Sequence, residues 1–285
     1  MDGLELLPIP ASDGASVRRL DLPRSLSAAV EAARAAGELL RRDARRRKRV
    51  SAATRHDVKL ELDVRCQRAI ERILRSRSPG WTVLGEEGTS GNEEDDVRWV
   101  VDPIDGTVNY AHGIPHVAVA IALQARESEG GEHRTQLGVI CDPFCRELWT
   151  AVRGGPALLD GKRIAVSRRT RLQEALVTTG FAKSPASMAA MLPVFEDLVR
   201  RVRKIRIMGS AALAMAYVAS GRLDAYVEAS VRLWDIAAGQ LLLERAGGSV
   251  WMKPATGVRH GYRVLASSGN LLLRRSPAVA RFLRS

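Results

Sequence analysis

From Ser25 onward, apolar positions recur at helical spacing. Leu26, Val30, Ala33, Gly37 and Leu40 share one face, which predicts a helix. The basic block at 41–49 continues or ends that helix, where cations suit the negative end of the helix dipole. A second helix is expected over 61–75, with Leu62, Cys66, Ala69, Ile70 and Ile73 facing inward and Pro79-Gly80 stopping it. Short apolar runs then predict strands at 82–84, 98–101, 116–124, 136–141 and 147–151. The charged stretch 126–134 contains Gly130-Gly131 and reads as a hairpin loop, and Asp160-Gly161 marks another turn. In the second half, strands at 175–179, 204–207, 225–228, 248–251 and 263–267 alternate with helices at 186–202, 210–220 and 234–246. Residues 1 to about 22 scatter Pro8, Pro10, Ser12, Gly14 and Ser16 without period and read as an irregular extension. The pattern establishes a mixed α+β chain and suits a layered α/β arrangement with two sheets. A length of 285 residues suffices for one large domain or two halves.

Composition narrows the class. Hydrophobic content of 46% and charged content of 27% are ordinary for a globular protein. No apolar run approaches the roughly 18 residues of a membrane helix. The start, Met1-Asp2-Gly3-Leu4-Glu5, lacks the basic-then-apolar order of a secretory signal, so a cytoplasmic, membrane-free protein is expected. Three cysteines, Cys66, Cys141 and Cys145, argue against a disulfide framework. Pro143 and strand-like flanks separate Cys141 from Cys145, and no histidine cluster completes a zinc site, so free thiols are expected. The net charge of +12 invites a nucleic-acid reading. Much of that charge is local, in 41–49 and 200–204, aromatic content is only 5%, and no nucleic-acid motif accompanies it. A solvated, arginine-rich surface that steers anionic substrates is the preferred reading, with RNA or an acidic protein kept as a second partner.

The candidate chemistry begins where an apolar run ends, at Trp99-Val100-Val101-Asp102-Pro103-Ile104-Asp105-Gly106-Thr107. Pro103 is expected to halt the ladder, Gly106 to permit a tight turn, and Thr107 to cap the next helical turn. The segment then offers two carboxylates, the Ile104 carbonyl, and backbone N–H groups of Gly106 and Thr107 that suit an anion. Taken alone, Asp-Pro-x-Asp-Gly is an ordinary surface turn. Glu86, in Gly85-Glu86-Glu87, and Asp235, in Trp234-Asp235-Ile236-Ala237-Ala238-Gly239, tip the balance because each lies beside an apolar segment. Asp57 and Asp63 add a further acidic pair. Oxygen donors of this kind suit Mg²⁺, and two such ions clamp both oxygens of a phosphoryl transfer. No Gly-x-Ser-x-Gly nucleophile elbow competes. Blander readings stand beside these: a helix N-terminal role for Asp235, a strand-end acid for Glu228, and core packing for Trp234. His112 and His116 take loop or core roles, and Arg206 pairs with an acid, lines the pocket entrance or simply sits on the surface.

These motifs resemble those of the inositol monophosphatase family, within the magnesium-dependent, lithium-sensitive phosphatases, over roughly residues 26–270. The resemblance implies an α-β-α-β-α sandwich with two sheets. It also implies a single phosphatase domain over 23–285, with a metal-binding half to about 165 and an α/β half from about 166. Glu86, Asp102 and the Ile104 carbonyl resemble ligands of a first Mg²⁺, and Asp102, Asp105 and Asp235 those of a second. Glu86 also resembles the ligand of a third, more hydrated ion. Thr107 and Asp63 resemble the pair that activates the attacking water, with Glu87 close by. Backbone N–H groups of Gly106 and Thr107, with Asp105 beside them, would hold the phosphate. Gly209, Ser210, Ala211 and Glu228 match positions contacting polyol hydroxyls. Inositol 1-phosphate is the implied substrate, with histidinol phosphate, fructose 1,6-bisphosphate and 3′-phosphoadenosine 5′-phosphate as alternatives, and a homodimer is implied. The chain departs from the family at Val58-Lys59-Leu60-Glu61-Leu62, where threonines are frequent, at Ala52-Ala53, where a lysine often stands nearby, and at Val108. These departures bear on the third metal and on lithium sensitivity. A binder of RNA or of a transcription complex, acting through the basic face, is the reading from another class.

Overall fold

Alanines set how closely the first layer packs. Helix α1 (Leu22–Asp43) buries Ala28, Ala29, Ala32, Ala33, Ala36, Gly37 and Leu40, while Leu26 and Val30 flank that seam. At Gly37 an added Cβ would lie 3.3 Å from the Pro143 Cβ, so small residues govern this approach. Asp21 starts the helix by accepting from the Arg24 N–H at 3.0 Å, and Arg41 and Arg42 close it beside Glu38. Helix α2 (Glu61–Arg77) lies against α1 and buries Leu62, Cys66, Ile70 and Leu74, with Ala69 and Ile73 only half-buried. The computed structural model describes residues 20–44, 50–53, 58–128, 130–182 and 184–284. The expected extension up to residue 19, residues 45–49 of the basic block, and Asp57 lie outside the described residues.

The strands are β1 (Val50–Ala53), β2 (Val58–Leu60), β3 (Thr82–Gly85), β4 (Gly88–Ser90) and β5 (Val97–Asp105). After the short helix α3 (Thr107–Ala111) come β6 (Ala118–Arg126), β7 (His133–Asp142), β8 (Glu147–Val152), β9 (Ala157–Leu159) and β10 (Lys162–Arg163). The second half runs β11 (Leu176–Thr179), α4 (Pro185–Arg201), β12 (Lys204–Arg206), α5 (Ala211–Ala219), β13 (Ala225–Arg232), α6 (Leu233–Arg245), β14 (Ser249–Pro254), β15 (Gly261–Ser267) and α7 (Pro277–Arg284). Strands β1 and β2 pair with each other. An eight-stranded sheet has the order β10-β9-β8-β7-β6-β5-β3-β4, with only β3 and β5 parallel. A five-stranded sheet has the order β12-β11-β13-β15-β14, with β11 parallel to both neighbours.

Three apolar cores give five layers. Helices α1 and α2 cover one face of the large sheet over Trp99, Val101, Ile121 and Val139. Helices α5 and α6 fill the space between the sheets with Leu213, Met215, Ile236 and Leu241. Helices α4 and α7 cover the far face of the small sheet over Val177, Val227 and Phe282. This is the α-β-α-β-α sandwich that the resemblance implied. The middle layer is tight: a Cβ at Gly138 of β7 would lie 2.7 Å from the Ala238 carbonyl oxygen, and one at Gly239 only 2.6 Å from the Met215 Cβ.

Several elements differ from expectation. Strand β5 continues through Asp105 although Pro103 was expected to halt it, because a bulge absorbs the proline. Helix α7 and strands β4, β9 and β10 carry too few residues for a readable period. All three cysteines are free; burial pushes the Cys66 thiol up to about 12 and Cys141 to about 11, while Cys145 is exposed. No described helix is long and apolar enough to cross a membrane.

Candidate active site

A cavity of about 520 Å³ collects Glu86, Asp102, Ile104, Asp105, Gly106 and Thr107 from the first half of the chain, and Gly209, Ser210, Ala211, Glu228 and Asp235 from the second. Asp63 and Glu87, also singled out from the sequence, do not line it. Backbone register explains how Asp102 and Asp105 share the cavity. Asp102 pairs with Ala120 and Asp105 with Ala118, so β5 carries one extra residue between them. Residues three apart in a regular strand face opposite ways; the bulge re-phases them. A second register shift in β13, between Glu228 and Val231, precedes Asp235.

Helix starts hold the acids. Asp63, in the first turn of α2, accepts from the Leu60 N–H at 2.6 Å. Asp235, in the first turn of α6, accepts from the Arg232 N–H at 2.7 Å. Asp105 instead caps a helix from the other half: the Ala212 N–H donates to it at 2.7 Å, the Ala211 N–H at 3.3 Å, and the Ser210 hydroxyl joins them. The positive helix ends partly offset the carboxylate charge. Asp102 accepts from the Ile104 N–H at 2.9 Å.

The remaining imbalance is large. Burial, and then the charges of Glu86, Asp105 and Asp235, hold the Asp102 carboxyl well above the usual range, against the Ile104 N–H. Burial raises Asp105 to about 6 despite its donors, and burial with the Asp105 charge raises Asp235 well above its ordinary value. No Lys, Arg or His stands among the described residues that line the cavity. Carboxylates whose charges push up Asp102 and Asp235, without a protein cation, form a set of oxygen donors suited to hard divalent cations such as Mg²⁺.

Glu228 is a separate case. Burial pushes it to about 7, with the Tyr226 hydroxyl, donating at 2.6 Å, opposing and the Asp105 charge adding. Its raised pKa favours the folded state below about pH 4.5, and that contribution is lost as pH rises through about 7. In metal-free protein, Glu228→Gln is therefore expected to match wild type at pH 5 and to melt roughly 2–4 °C higher at pH 8.5. Equal melting at both pH values would mean that Glu228 is solvated.

Other expectations meet mixed outcomes. Thr107 does not cap α3: Gly106 occupies that position at φ +96°, and the Thr107 hydroxyl donates to the Ile104 carbonyl at 2.9 Å. Asp63 Oδ1 lies 3.5 Å from the same hydroxyl. Trp234 packs against the central core. His112 is exposed, His116 lies beside the Tyr217 ring, and neither lines the cavity. Arg206 is exposed and donates to the Ile205 carbonyl rather than lining the entrance. Missed by the sequence reading were Asn109, Gly180, Phe181, Ile207 and Tyr226, all of which line the cavity. A Cβ at Gly180 would fall 1.6 Å from Glu228 Oε2, and Thr179-Gly180 at a strand end was the available signal. Gln67 was missed too: its carbonyl accepts from the Glu87 N–H at 2.9 Å, and its amide donates to the Gly88 carbonyl at 3.0 Å. A Cβ at Gly85 would meet Gln67 Oε1 at 2.3 Å, so the Gln67 amide would have to swing away from Glu87 and Gly88 to admit it.

Comparison with known proteins agrees with this geometry. The model of the inositol monophosphatase family matches residues 21–276. A protein named Nus factor SuhB from Xylella fastidiosa is 42% identical over 225 residues, which cover 78% of this chain and 79% of that protein. The crystal structure of the extragenic suppressor protein suhB from Bartonella henselae superimposes with a TM-score of 0.79 at 34% identity, over 91% of this chain and 98% of that one. An inositol monophosphatase from Anabaena gives 0.77 at 34% identity, over 92% and 97%.

Proposed function

The chain belongs to the inositol monophosphatase family, and from that premise we propose that it is a Mg²⁺-dependent phosphomonoesterase, acting in the cytoplasm on inositol 1-phosphate or a similar polyol phosphate. The observation that carries this reading is a cavity lined by Glu86, Asp102, Asp105, Glu228 and Asp235 with no lining cation among the described residues. Such a site repels a phosphate ester unless metal ions enter it.

Glu86, Asp102, the Ile104 carbonyl, Asp105 and Asp235 would hold the ions. When bound, Mg²⁺ supplies the positive field that the ester requires and lowers the pKa of the attacking water. Asp63 Oδ1 would take the proton that this water loses, relayed through the Thr107 hydroxyl 3.5 Å away once that hydroxyl turns its own hydrogen from the Ile104 carbonyl to Asp63. Glu87, whose N–H is bound to Gln67, helps to fix the turn that carries Glu86. The N–H groups of Gly106 and Thr107 orient the phosphate, and Asp105 braces that turn against α5. Gly209, Ser210, Ala211 and Glu228 receive the hydroxyls of the leaving alcohol. A homodimer fits the exposed apolar residues Val108, Ile114 and Ile207, of which the first and last also line the cavity.

A second reading has its own observation. Arg200, Arg201, Arg203, Arg274, Arg275, Arg281 and Arg284 are exposed on or beside α4 and α7, and Lys204 and Arg206 are exposed on the edge strand β12. The only acids among the described residues of 184–206 and 268–284 are Glu196 and Asp197. With a relative named a Nus factor, that face suits RNA within a transcription complex.

The deciding experiment measures phosphate release from inositol 1-phosphate, histidinol phosphate, fructose 1,6-bisphosphate and 3′-phosphoadenosine 5′-phosphate, with Mg²⁺ and with EDTA. Mg²⁺-dependent release that is fastest from inositol 1-phosphate is expected. Faster release from another ester replaces the substrate and keeps the chemistry. No release from any ester, with salt-sensitive RNA binding, overturns the phosphatase reading in favour of the second.

A further inference from the structure

Asp105 is not alone in gripping the opposite half of the chain. Asn109, one helical turn later, lines the same cavity and reaches the same segment. Its Nδ2 donates to the Met208 carbonyl at 2.8 Å and to the His116 carbonyl at 2.9 Å, with the Gly209 carbonyl at 3.4 Å. All three neighbours only accept hydrogen bonds, so the orientation of the amide is determined: NH₂ faces them, and both of its protons are used. The segment it holds admits little else. Gly209 sits at φ +75°, and a Cβ there would lie 3.1 Å from Asn109 Nδ2. Beyond it, the Ser210 hydroxyl and the Ala211 and Ala212 N–H groups bind Asp105.

We propose that Asn109 is a positioning residue that sets the Gly209–Ala211 segment for the leaving alcohol, so that it governs recognition of the alcohol rather than of the phosphate. This inference rests on the phosphatase reading above. Asp105 fixes the α5 end of the segment and Asn109 fixes its β12 end, so removal of Asn109 frees one anchor and leaves the other. The Met208 and His116 carbonyls lose their donor, and the backbone between Met208 and Ser210 relaxes. The phosphate-holding turn at Gly106 and Thr107 keeps its own bonds. Asn109→Asp tests the donor separately from the space it fills, because an ionised carboxylate of the same size presents oxygen to oxygen.

Steady-state kinetics compare wild type, Asn109→Ala and Asn109→Asp on two probes: inositol 1-phosphate, and p-nitrophenyl phosphate, whose leaving group carries no polyol hydroxyls. In both variants KM for inositol 1-phosphate should rise about tenfold, while KM for p-nitrophenyl phosphate stays within about twofold. Equal KM changes on the two probes, or wild-type KM values in Asn109→Asp, would overturn the proposal. Amide hydrogen exchange without substrate supplies a readout independent of turnover. Exchange in residues 208–212 should quicken in Asn109→Ala, with residues 177–180 unchanged; uniform acceleration or none contradicts the anchor. If wild type releases no phosphate from either probe with Mg²⁺, the phosphatase reading fails, and the exchange result still decides whether Asn109 anchors the segment.

Discussion

Asp102→Asn is expected to lower Mg²⁺-dependent phosphate release at least about 10³-fold and, in EDTA, to raise the melting temperature at pH 8. The two effects have one cause. Asp102 is 1% exposed and shares its surroundings with Glu86, Asp105 and Asp235. On the proposed reading, metal ions would turn these charges to use, because several of them would hold each ion. Without ions they repel, and burial compounds the cost. A carboxyl whose folded pKa is raised adds stability below its unfolded pKa and loses it as pH rises through the folded value. An amide at the same place carries no charge, accepts from the Ile104 N–H as before, and removes that penalty at high pH. Phosphate release by malachite green and melting by calorimetry at pH 5 and pH 8 check both halves. Wild-type turnover would remove Asp102 from the metal set. A loss of turnover with a lower melting temperature at both pH values would mean that Asp102 supports the fold rather than the ions.

Gly106→Ala should be the most damaging single methyl group in the site. Gly106 adopts φ +96° and ψ 37°, where an L side chain is strained by about 1–3 kcal/mol. The added Cβ would lie 3.0 Å from the Gly209 and the His116 carbonyl oxygens, and both are backbone atoms that no rotamer change can move aside. The turn must therefore shift, and Asp105 and Thr107 adjoin it. A destabilisation of about 2–3 kcal/mol and a fall in kcat/KM of about 10²-fold are expected. Denaturant melts and inositol 1-phosphate kinetics measure them. Normal kinetics with a normal melt would mean that the turn tolerates displacement and does not set the site.

Part of this was readable without coordinates. The helical periods of α1 and α2, strands β3 and β5 to β8 of the large sheet and the alternation of the second half follow from local patterning, because a buried face imposes its period on its own residues. The candidate acids Glu86, Asp102, Asp105 and Asp235 were legible because each sits in a short motif at an element boundary. Helix α7 was not, since eight residues carry barely two turns of period. Gln67 and Asn109 were not, because their worth lies in partners far away in the chain: Gln67 binds Glu87 and Gly88, and Asn109 binds Met208.

The sequence by itself determined the mix of helices and strands, the carboxylate inventory and the family resemblance, all of which are encoded by neighbours along the chain; the five layers were only what that resemblance implied. The tertiary structure alone decided that Asp102 and Asp105 share a cavity, since a bulge is a property of two paired strands. It decided that Asp105 caps α5, that Asn109 clamps Met208, and that Gly138 admits α6 against the sheet. Each of these depends on groups distant in sequence, whose approach is set by the packing of whole layers and leaves no period or spacing to read.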